Sequence, residues 1–213
     1  MKENKDKTRK NFPDIKEFIT TMNITRASIE DIEWIARLEA ELFTGTDAIP
    51  EEVLKEWYST NPTGFFIIKQ NEERVGHIDI LPLRPQTFDL LLKGSLIERQ
   101  IRGVSLYTPN ERNLIKNLYI ECVSISLTGR AREVALLSLL SNISSMINKI
   151  CPVENVDKIY AIAATKQGEQ IMKHLGFTLA KQGEKRKDGH PMFVAEIKTL
   201  LKSIDQICGK LLN

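Results

Sequence analysis

The sequence predicts an α/β fold of the mixed α+β kind, with helices on both faces of a twisted, mostly antiparallel sheet. Apolar stretches at Phe65–Ile68 and Val75–Leu81 are separated by only a few residues, so they should pair as an antiparallel hairpin. Farther along, apolar stretches at Asn117–Ile125 and Asp157–Ala164 flank a long apolar helix, and such a crossover joins parallel strands. A hairpin followed by a crossover requires a mixed sheet with helices on both sides.

The first elements follow from charge and helical spacing. Residues 1–11 are charged and predict a disordered tail, and Phe12–Met22 fits a short helix before a strand at Ile24–Arg26. The first core helix begins at Ser28, where Asp31 completes a capping box. Its apolar residues recur at helical spacing, at Ile32, Ile35, Leu38 and Leu42.

The next elements are a turn and a second helix. The turn spans Thr44–Asp47, and Pro50 lies in the first turn of the helix that follows it. This helix buries Val53, Leu54, Trp57 and Tyr58.

Residues 83–113 form an insert between the hairpin and the crossover. They contain a helical stretch at Thr87–Lys93 that ends at Gly94, and they are too many for a plain connection. We therefore expect the insert to shape a substrate cleft. The whole of 12–197, insert included, is expected to form one domain.

The last elements are a short helix, a hairpin and a final helix. The short helix spans Thr165–His174 and stops at Gly176. Phe177–Ala180 and Met192–Ile197 flank an Asp-Gly turn and predict a second hairpin. Residues 198–213 are expected to form a C-terminal helix.

Composition excludes several classes of function. A formal net charge of +2 creates no overall field for nucleic acid or an anionic membrane. The three cysteines are odd in number and lack metal-ligand spacing, which favours a reduced protein without metal. The charged N-terminus and the lack of a long apolar run predict a cytoplasmic protein with no membrane partner. A homodimer is an open alternative for its assembly.

The junction between the strand at Asn117–Ile125 and the next helix has the features of a phosphate site. Its turn contains Gly129 and two cations, Arg130 and Arg132. Unpaired N–H groups at a helix start, partial positive charge and arginines together suit a phosphate group. The alternative is an ordinary strand-to-helix junction with surface arginines.

The order of these elements resembles the GNAT superfamily of acetyl-CoA-dependent N-acetyltransferases. The resemblance rests on the strand, turn and helix at 117–140 and on the strand, short helix and Leu-Gly-Phe at 157–177. It extends from Ile24 to about Ile197, and the insert (PLRPQTFDLLLKGSLIE) is similar to inserts of some members. It implies a GNAT-like fold, acetyl-CoA as cosubstrate and direct acetyl transfer to an amine.

The resemblance also implies a cofactor site. The family pattern Arg/Gln-x-x-Gly-x-Gly/Ala aligns either with Ser126–Ala131 or with Thr128–Glu133, so the pyrophosphate would lie on the turn Ser126–Arg132. Pantetheine would bond to the main chain at the end of the preceding strand. The implied cofactor residues are Val123, Ser124, Ile125, Ser126, Thr128, Gly129, Arg130, Ala131, Arg132 and, where many members carry Asn, Thr165.

Many members carry a tyrosine that protonates the departing thiolate, and here that position is Met172. A methionine cannot donate a proton, so Met172 is interpreted as a core residue.

An ammonium acceptor must lose a proton before it attacks a thioester, and Glu121 is our candidate base. Burial in its apolar strand would raise the pKa of Glu121. The alternative is an edge carboxylate paired with a lysine, and the lesser candidates for the base are Asp79, His77 and Tyr119. His77 and Asp79 share one strand face, which is either solvated or lines a substrate cleft.

A covalent acyl-enzyme is not predicted. Ser124 and Cys122 have no His or carboxylate at the spacing of a nucleophile motif.

The resulting hypothesis is an acetyl-CoA-dependent N-acetyltransferase whose acceptor is a small-molecule or peptide amine. Protein N-termini, lysines, polyamines and small antibiotic amines all remain open as acceptors. The competing hypothesis is a GNAT-fold protein that binds CoA or a partner with little or no turnover, since Met172 and the altered turn depart from the family pattern.

Overall fold

The computed structural model describes residues 21–43, 45 and 47–212. The tail at 1–11, nearly all of the Phe12–Met22 helix, and Thr44 and Thr46 of the expected turn lie outside these residues. Within them, Met22 already belongs to the first strand.

One mixed sheet organises the described chain, with strand order β1-β2-β3-β4-β5-β7-β6. Only β4 and β5 pair in parallel, and the other neighbours pair antiparallel. The strands are β1 (Met22–Arg26), β2 (Phe65–Gln70), β3 (Glu73–Leu81), β4 (Asn117–Ile125), β5 (Lys158–Ile162), β6 (Thr178–Lys181) and β7 (Met192–Glu196). The predicted mixed, mostly antiparallel sheet is confirmed.

Helices cover both faces of this sheet, as predicted. They are α1 (Ile29–Leu42), α2 (Glu51–Thr60), α3 (Pro85–Lys93), α4 (Gly129–Ile150), α5 (Lys166–His174) and α6 (Ile197–Leu212). Asp31 accepts a hydrogen bond from the Ser28 backbone N–H at 2.7 Å, which holds the start of α1.

The sheet separates two apolar cores. Helices α4 and α6 pack on one face, where Ile78 and Ile80 of β3 are fully buried. Helices α1, α2 and α3 pack on the other, where Trp57 is fully buried against Phe65 and Ile67. Burying a large apolar side chain contributes about 1.5–3 kcal/mol to stability. The apolar contacts between each helix layer and the sheet therefore stabilise both layers.

The insert packs largely into the second core. Ile101 and Leu106 are buried there, and Trp57 donates its indole N–H to the Ile101 carbonyl at 3.0 Å. Glu56 accepts the Gly103 backbone N–H at 2.6 Å. The insert is therefore anchored on α2 and contributes to the second core. No helix among the described residues has both the length and the apolar character needed to cross a membrane.

Candidate functional site

The sheet opens between β4 and β5. The two strands pair from Asn117 with Lys158 to Ile120 with Ala161, and β5 ends at Ile162. Strand β4 continues to Ile125, paired only with β3 on its other edge. The edge of residues 121–125 that faces β5 is thus free to receive an extended ligand as an added strand.

A cleft of about 430 Å³ lies on the α4 side of this opening, and we call it the helix cleft. Its walls come from β4, from the start of α4 and from α5. Of the predicted cofactor residues, those that line it are Val123, Ile125, Thr128, Gly129, Arg132 and Thr165. Its deeper walls are apolar, with Leu136, Leu139, Ile171 and Phe177.

The other predicted cofactor residues lie elsewhere. Ser124 is buried on the opposite face of β4, and the Ser126 hydroxyl donates to the Val75 carbonyl at 3.0 Å. Arg130 is exposed and Ala131 half-buried, and neither lines the cleft. For Ser124, a side-chain role in the cleft is therefore excluded, while its main chain remains beside the opening.

The start of α4 differs from the expected turn. Residues 126–128 alone connect strand and helix, so Gly129–Arg132 form the first helical turn. Gly129 has a φ of 55°, the left-handed conformation that favours glycine. The first N–H groups of a helix have no intrahelical partner, and here they lie at the cleft beside Arg132. Glu133 also lines the cleft and adds an opposing charge.

Helix α5 closes the far side of the opening. The Thr165 hydroxyl accepts the Gly168 backbone N–H at 3.0 Å and caps this helix. Met172 contacts the apolar core but is only half-buried, and it lines the helix cleft as well. Met172 is therefore a wall residue of the site in addition to its core contacts.

A second cavity, of about 150 Å³, lies on the other side of the opening. We call it the acidic cavity because five carboxyl side chains line it: Glu39, Asp47, Glu98, Glu121 and Asp188. The helix cleft and the acidic cavity share Ile120, Val123, Ala161, Thr165, Gly168 and Met172. The two spaces thus meet where β4 and β5 separate.

Two of these carboxylates have basic partners. Asp188 binds the buried guanidinium of Arg186 at 2.5 Å, and Arg186 also donates to the Leu91 carbonyl. Asp47 lies 3.1 Å from the ring of His190, which lines the cavity too. The three glutamates form no ion pair with a lysine or arginine of the described chain, and Glu39 faces only the ring of His77.

Glu121 occupies a bulge in β4. Asp79 pairs with Cys122 and Ile80 with Ile120, so Glu121 has no residue opposite it on β3. A bulge of this kind redirects a side chain. The Glu121 Oε2 atom is buried and makes no hydrogen bond within the described chain. Burial, then the charges of Glu39, Glu98 and Asp79, raise the pKa of Glu121 well above its usual range.

The alternative for Glu121, an edge carboxylate paired with a lysine, is wrong. Strand β4 lies in the middle of the sheet, and no ion pair joins Glu121 to a described lysine. The expectation that burial raises the pKa of Glu121 agrees with the structure.

Four polar side chains lie beneath the acidic cavity, and we call Glu39, His77, Asp79 and Cys122 the buried cluster. His77 and Asp79 are fully buried under α1, and Glu39 of α1 is 1% exposed. The His77 ring lies 3.3 Å from Asp79 through Nδ1 and 3.7 Å from Glu39 through Nε2. Both interpretations of the His77–Asp79 face, solvated or lining a cleft, are therefore wrong, because α1 covers it.

Charge and burial oppose each other in this cluster. Burial raises the pKa of Glu39 to about 7, although His77 acts in the other direction. Burial lowers the pKa of His77, but the charges of Asp79 and Glu39 outweigh it and leave that pKa raised.

Tyr119 is fully buried and donates its hydroxyl to Glu98 of the insert. Burial, followed by the charge of Glu98, raises the pKa of Tyr119 well above its usual range. Tyr119 therefore holds Glu98 in place and is poorly suited to be a base. Burial also raises the pKa of Glu98 to about 8.

Sequence reasoning missed Glu39, Glu98 and Asp188. Glu39 lies four residues after Ile35 and seven after Ile32, on the apolar stripe of α1. A carboxylate on a buried stripe was a readable signal for a site. Glu98 begins a single 3-10 turn and Asp188 lies in a turn, and segments this short have no periodic pattern that gives a side-chain direction.

Comparisons with known proteins identify the fold. No protein-family model and no curated protein matches the sequence. Among solved structures, the GphF GNAT-like decarboxylase in complex with isobutyryl-CoA is similar, with a TM-score of 0.58 at 14% identity over 82% of this chain and 99% of that one.

Two further structures show the same likeness. Ard1 from Thermoplasma volcanium has a TM-score of 0.52 at 12% identity, over 82% of this chain and 95% of its own. The loading GNATL domain of CurA from Lyngbya majuscula has a TM-score of 0.51 at 16% identity, over 83% of this chain and 98% of its own. The predicted resemblance to the GNAT superfamily is confirmed at the level of the fold.

Proposed function

We propose that this protein is an acyl-CoA-dependent N-acyltransferase, with acetyl-CoA as donor and a cationic amine as acceptor. The observation that carries the proposal is the meeting of two unlike spaces at the β4–β5 opening. One has a helix start and apolar walls, and the other is acidic. A transferase requires a donor and an acceptor to meet at one point, and this opening provides it.

The helix cleft suits the donor. Pantetheine would add as a strand to the free edge at 121–125, and the pyrophosphate would lie at the start of α4 beside Arg132. This arrangement brings the thioester to the end of the pairing between Ile120 and Ala161. Support for CoA derivatives as a class comes from the shared fold, since one similar structure is a complex with isobutyryl-CoA.

The acidic cavity suits the acceptor. Three glutamates without a lysine or arginine partner can each become ionised beside an incoming cation, which lowers their pKa values, and 150 Å³ admits a slender chain. A lysine side chain or the end of a polyamine has this charge and shape. We therefore rank cationic primary amines above neutral acceptors.

The proposed chemistry is direct transfer. Glu121 in its ionised form takes one proton from the ammonium, and the amine nitrogen then attacks the thioester carbonyl carbon. The nitrogen gives its second proton to water as the carbon–sulfur bond breaks, the acyl group stays on nitrogen, and the departing CoA thiolate takes that proton back from water. Met172 has no proton to give.

A second function remains in competition because Met172 lacks a hydroxyl. It is a GNAT-fold protein that binds CoA with little or no turnover.

One experiment separates these functions. Thermal unfolding is followed with and without CoA, since a ligand that binds only the folded state raises its melting temperature. Free thiol is then measured with acetyl-CoA and isobutyryl-CoA against spermidine, a lysine peptide and a neutral amide. A thermal shift with amine-dependent thiol release supports the transferase. A shift without release supports the binding protein, and no shift contradicts both.

A further inference from the structure

We propose that Cys122, His77 and Glu39 bind one zinc ion between helix α1 and the central strands, at the floor of the acidic cavity. The three candidate ligand atoms, Cys122 Sγ, His77 Nε2 and a Glu39 carboxylate oxygen, all lie within 4.8 Å of one another. The site does not depend on the proposed acyl transfer. It departs from the absence of metal that the cysteine spacing predicted.

The distances suit a tetrahedral ion. His77 Nε2 lies 3.7 Å from Glu39 Oε1 and 3.9 Å from Cys122 Sγ. Zinc binds sulfur at about 2.3 Å, and nitrogen and oxygen at about 2.0–2.2 Å, which places tetrahedral ligands roughly 3.3–3.6 Å apart. The two pairs that include His77 Nε2 need to approach by only a few tenths of an ångström, and the Glu39 oxygen and Cys122 Sγ lie within 4.8 Å of each other.

Asp79 lies beside the ring nitrogen of His77 that does not face the other two candidate ligands. Its Oδ2 lies 3.3 Å from His77 Nδ1, so Nε2 points toward Glu39 and Cys122. A carboxylate behind a ligating histidine is the usual outer partner at zinc sites. Asp79 would therefore act as a positioning residue.

Several polar atoms of the cluster lack hydrogen-bond partners, although Glu39 Oε2 accepts the Ile49 backbone N–H at 3.2 Å and Cys122 Sγ lies 3.0 Å from Ser124 Oγ. Glu39 Oε1, His77 Nδ1 and both Asp79 oxygens are buried without a hydrogen bond in the described chain. The ion pairs of Glu39 and Asp79 there are with His77, and none is with a lysine or arginine. Two carboxylates facing one imidazole are short of positive charge, and a divalent cation would supply it.

The kind of ligand favours zinc over magnesium or calcium. One sulfur, one nitrogen and one oxygen make a mixed set, whereas magnesium and calcium take oxygen ligands. The fourth position would face the acidic cavity, which Glu39 and Cys122 line. Glu121 reaches the same place, since its carboxylate forms a second group with Glu39 and Asp79 within 4.8 Å.

The first test uses the full-length protein after treatment with a chelator. We expect one equivalent of Co²⁺ to give visible bands of a tetrahedral ion and a near-ultraviolet thiolate charge-transfer band, and one equivalent of Zn²⁺ to remove both. This result needs no variant, so it does not depend on whether a mutant folds. Absence of stoichiometric binding, or Co²⁺ spectra without the thiolate band, would overturn the proposal.

Variants then assign the ligands. Cys122→Ser should abolish the thiolate band, and His77→Gln should weaken zinc affinity at least tenfold. Asp79→Asn should weaken it about 10- to 100-fold while keeping the band, as loss of an outer partner does. The matched control is Cys151→Ser, because Cys151 is also buried but lies at the end of α4. Equal loss in Cys151→Ser, or an unchanged band in folded Cys122→Ser, would count against the site.

The zinc site and the proposed acyl transfer are tested by different measurements, so one proposal can fail while the other stands. A protein that binds zinc without any thermal response to CoA would keep this inference and remove the proposed function.

Discussion

Asp79 of β3 pairs with Cys122 of β4, whereas Ile80, the next residue, pairs with Ile120. This one-residue shift brings Glu121 and Cys122 together at the boundary between the acidic cavity and the buried cluster. Regular alternation would have turned one of them to the α4 face. The bulge thus concentrates acidic and metal-binding side chains at the point where β4 and β5 separate.

The first prediction concerns Glu121 as the base. Glu121→Gln keeps the size of the side chain but cannot accept the proton, so acyl transfer should slow by about 10²-fold or more. The thermal shift with CoA should be unchanged, because Glu121 lines the acidic cavity and not the helix cleft. Transfer at the wild-type rate in this variant would remove Glu121 from the mechanism.

The second prediction separates two neighbouring arginines. Arg132 lines the helix cleft and Arg130 does not, although both are exposed at the start of α4. Arg132→Ala should weaken CoA binding by roughly 1 kcal/mol, less at high salt, because a charge-assisted contact to phosphate is lost. Arg130→Ala is the matched control and should bind normally. Calorimetric affinities that fall equally in both variants would contradict this position for the pyrophosphate.

The third prediction concerns stability and Glu98. Its pKa is raised by burial to about 8 in the folded protein, against a usual value of 4.5. Between these two pH values the folded state keeps a proton that the unfolded state loses, so the free energy of unfolding should fall as the pH rises. Below pH 4.5 both states are protonated and the penalty is absent.

Glu98→Gln tests this directly. The free energy of unfolding is measured in urea at pH 5 and at pH 8.5. Between these pH values it should fall by about 1 kcal/mol more in the wild type than in Glu98→Gln, after allowance for partial exposure of the side chain. Glu111→Gln is a control of opposite sign. Hydrogen bonds from Thr108, then Arg84, lower the pKa of Glu111, so its contribution to stability is present at neutral pH and lost as the pH falls. Parallel pH profiles for wild type and Glu98→Gln would refute the prediction.

Much of the fold was predictable because its signals are local. The strands carry continuous apolar runs, the helices have apolar stripes, and the Ser28–Asp31 capping box is present at 2.7 Å. The junction at Gly129 was also readable, since a glycine at the point where a strand turns into a helix suits the φ of 55° found there.

The site was less predictable because it depends on distant pairing. His77 and Asp79 are on a strand face that alternation identifies, but the sequence does not tell that α1 buries it. The proposed zinc ligands come from α1, β3 and β4, so no short spacing marks them. The bulge at Glu121 likewise depends on the register between β3 and β4.

The last prediction concerns Met172, which lines both the helix cleft and the acidic cavity. The resemblance to GNAT enzymes implies a tyrosine at this position that protonates the departing thiolate, and a methionine cannot donate that proton. Met172→Tyr would place a hydroxyl at the meeting point of the two spaces. If departure of the thiolate limits the rate, turnover should rise several-fold. This gain is below the roughly 10²-fold or more typical of a well-placed general acid, because the new hydroxyl is not positioned by its surroundings.

Met172→Phe is the matched control, because it adds a ring of the same size without a hydroxyl. We expect Met172→Tyr to exceed both Met172→Phe and wild type in thiol release at saturating acetyl-CoA and amine, with CoA affinity equal in the two variants. The half-buried position leaves a ring access to the opening. Equal rates in the tyrosine and phenylalanine variants would mean that protonation of sulfur does not limit turnover, and that water already serves the leaving thiolate.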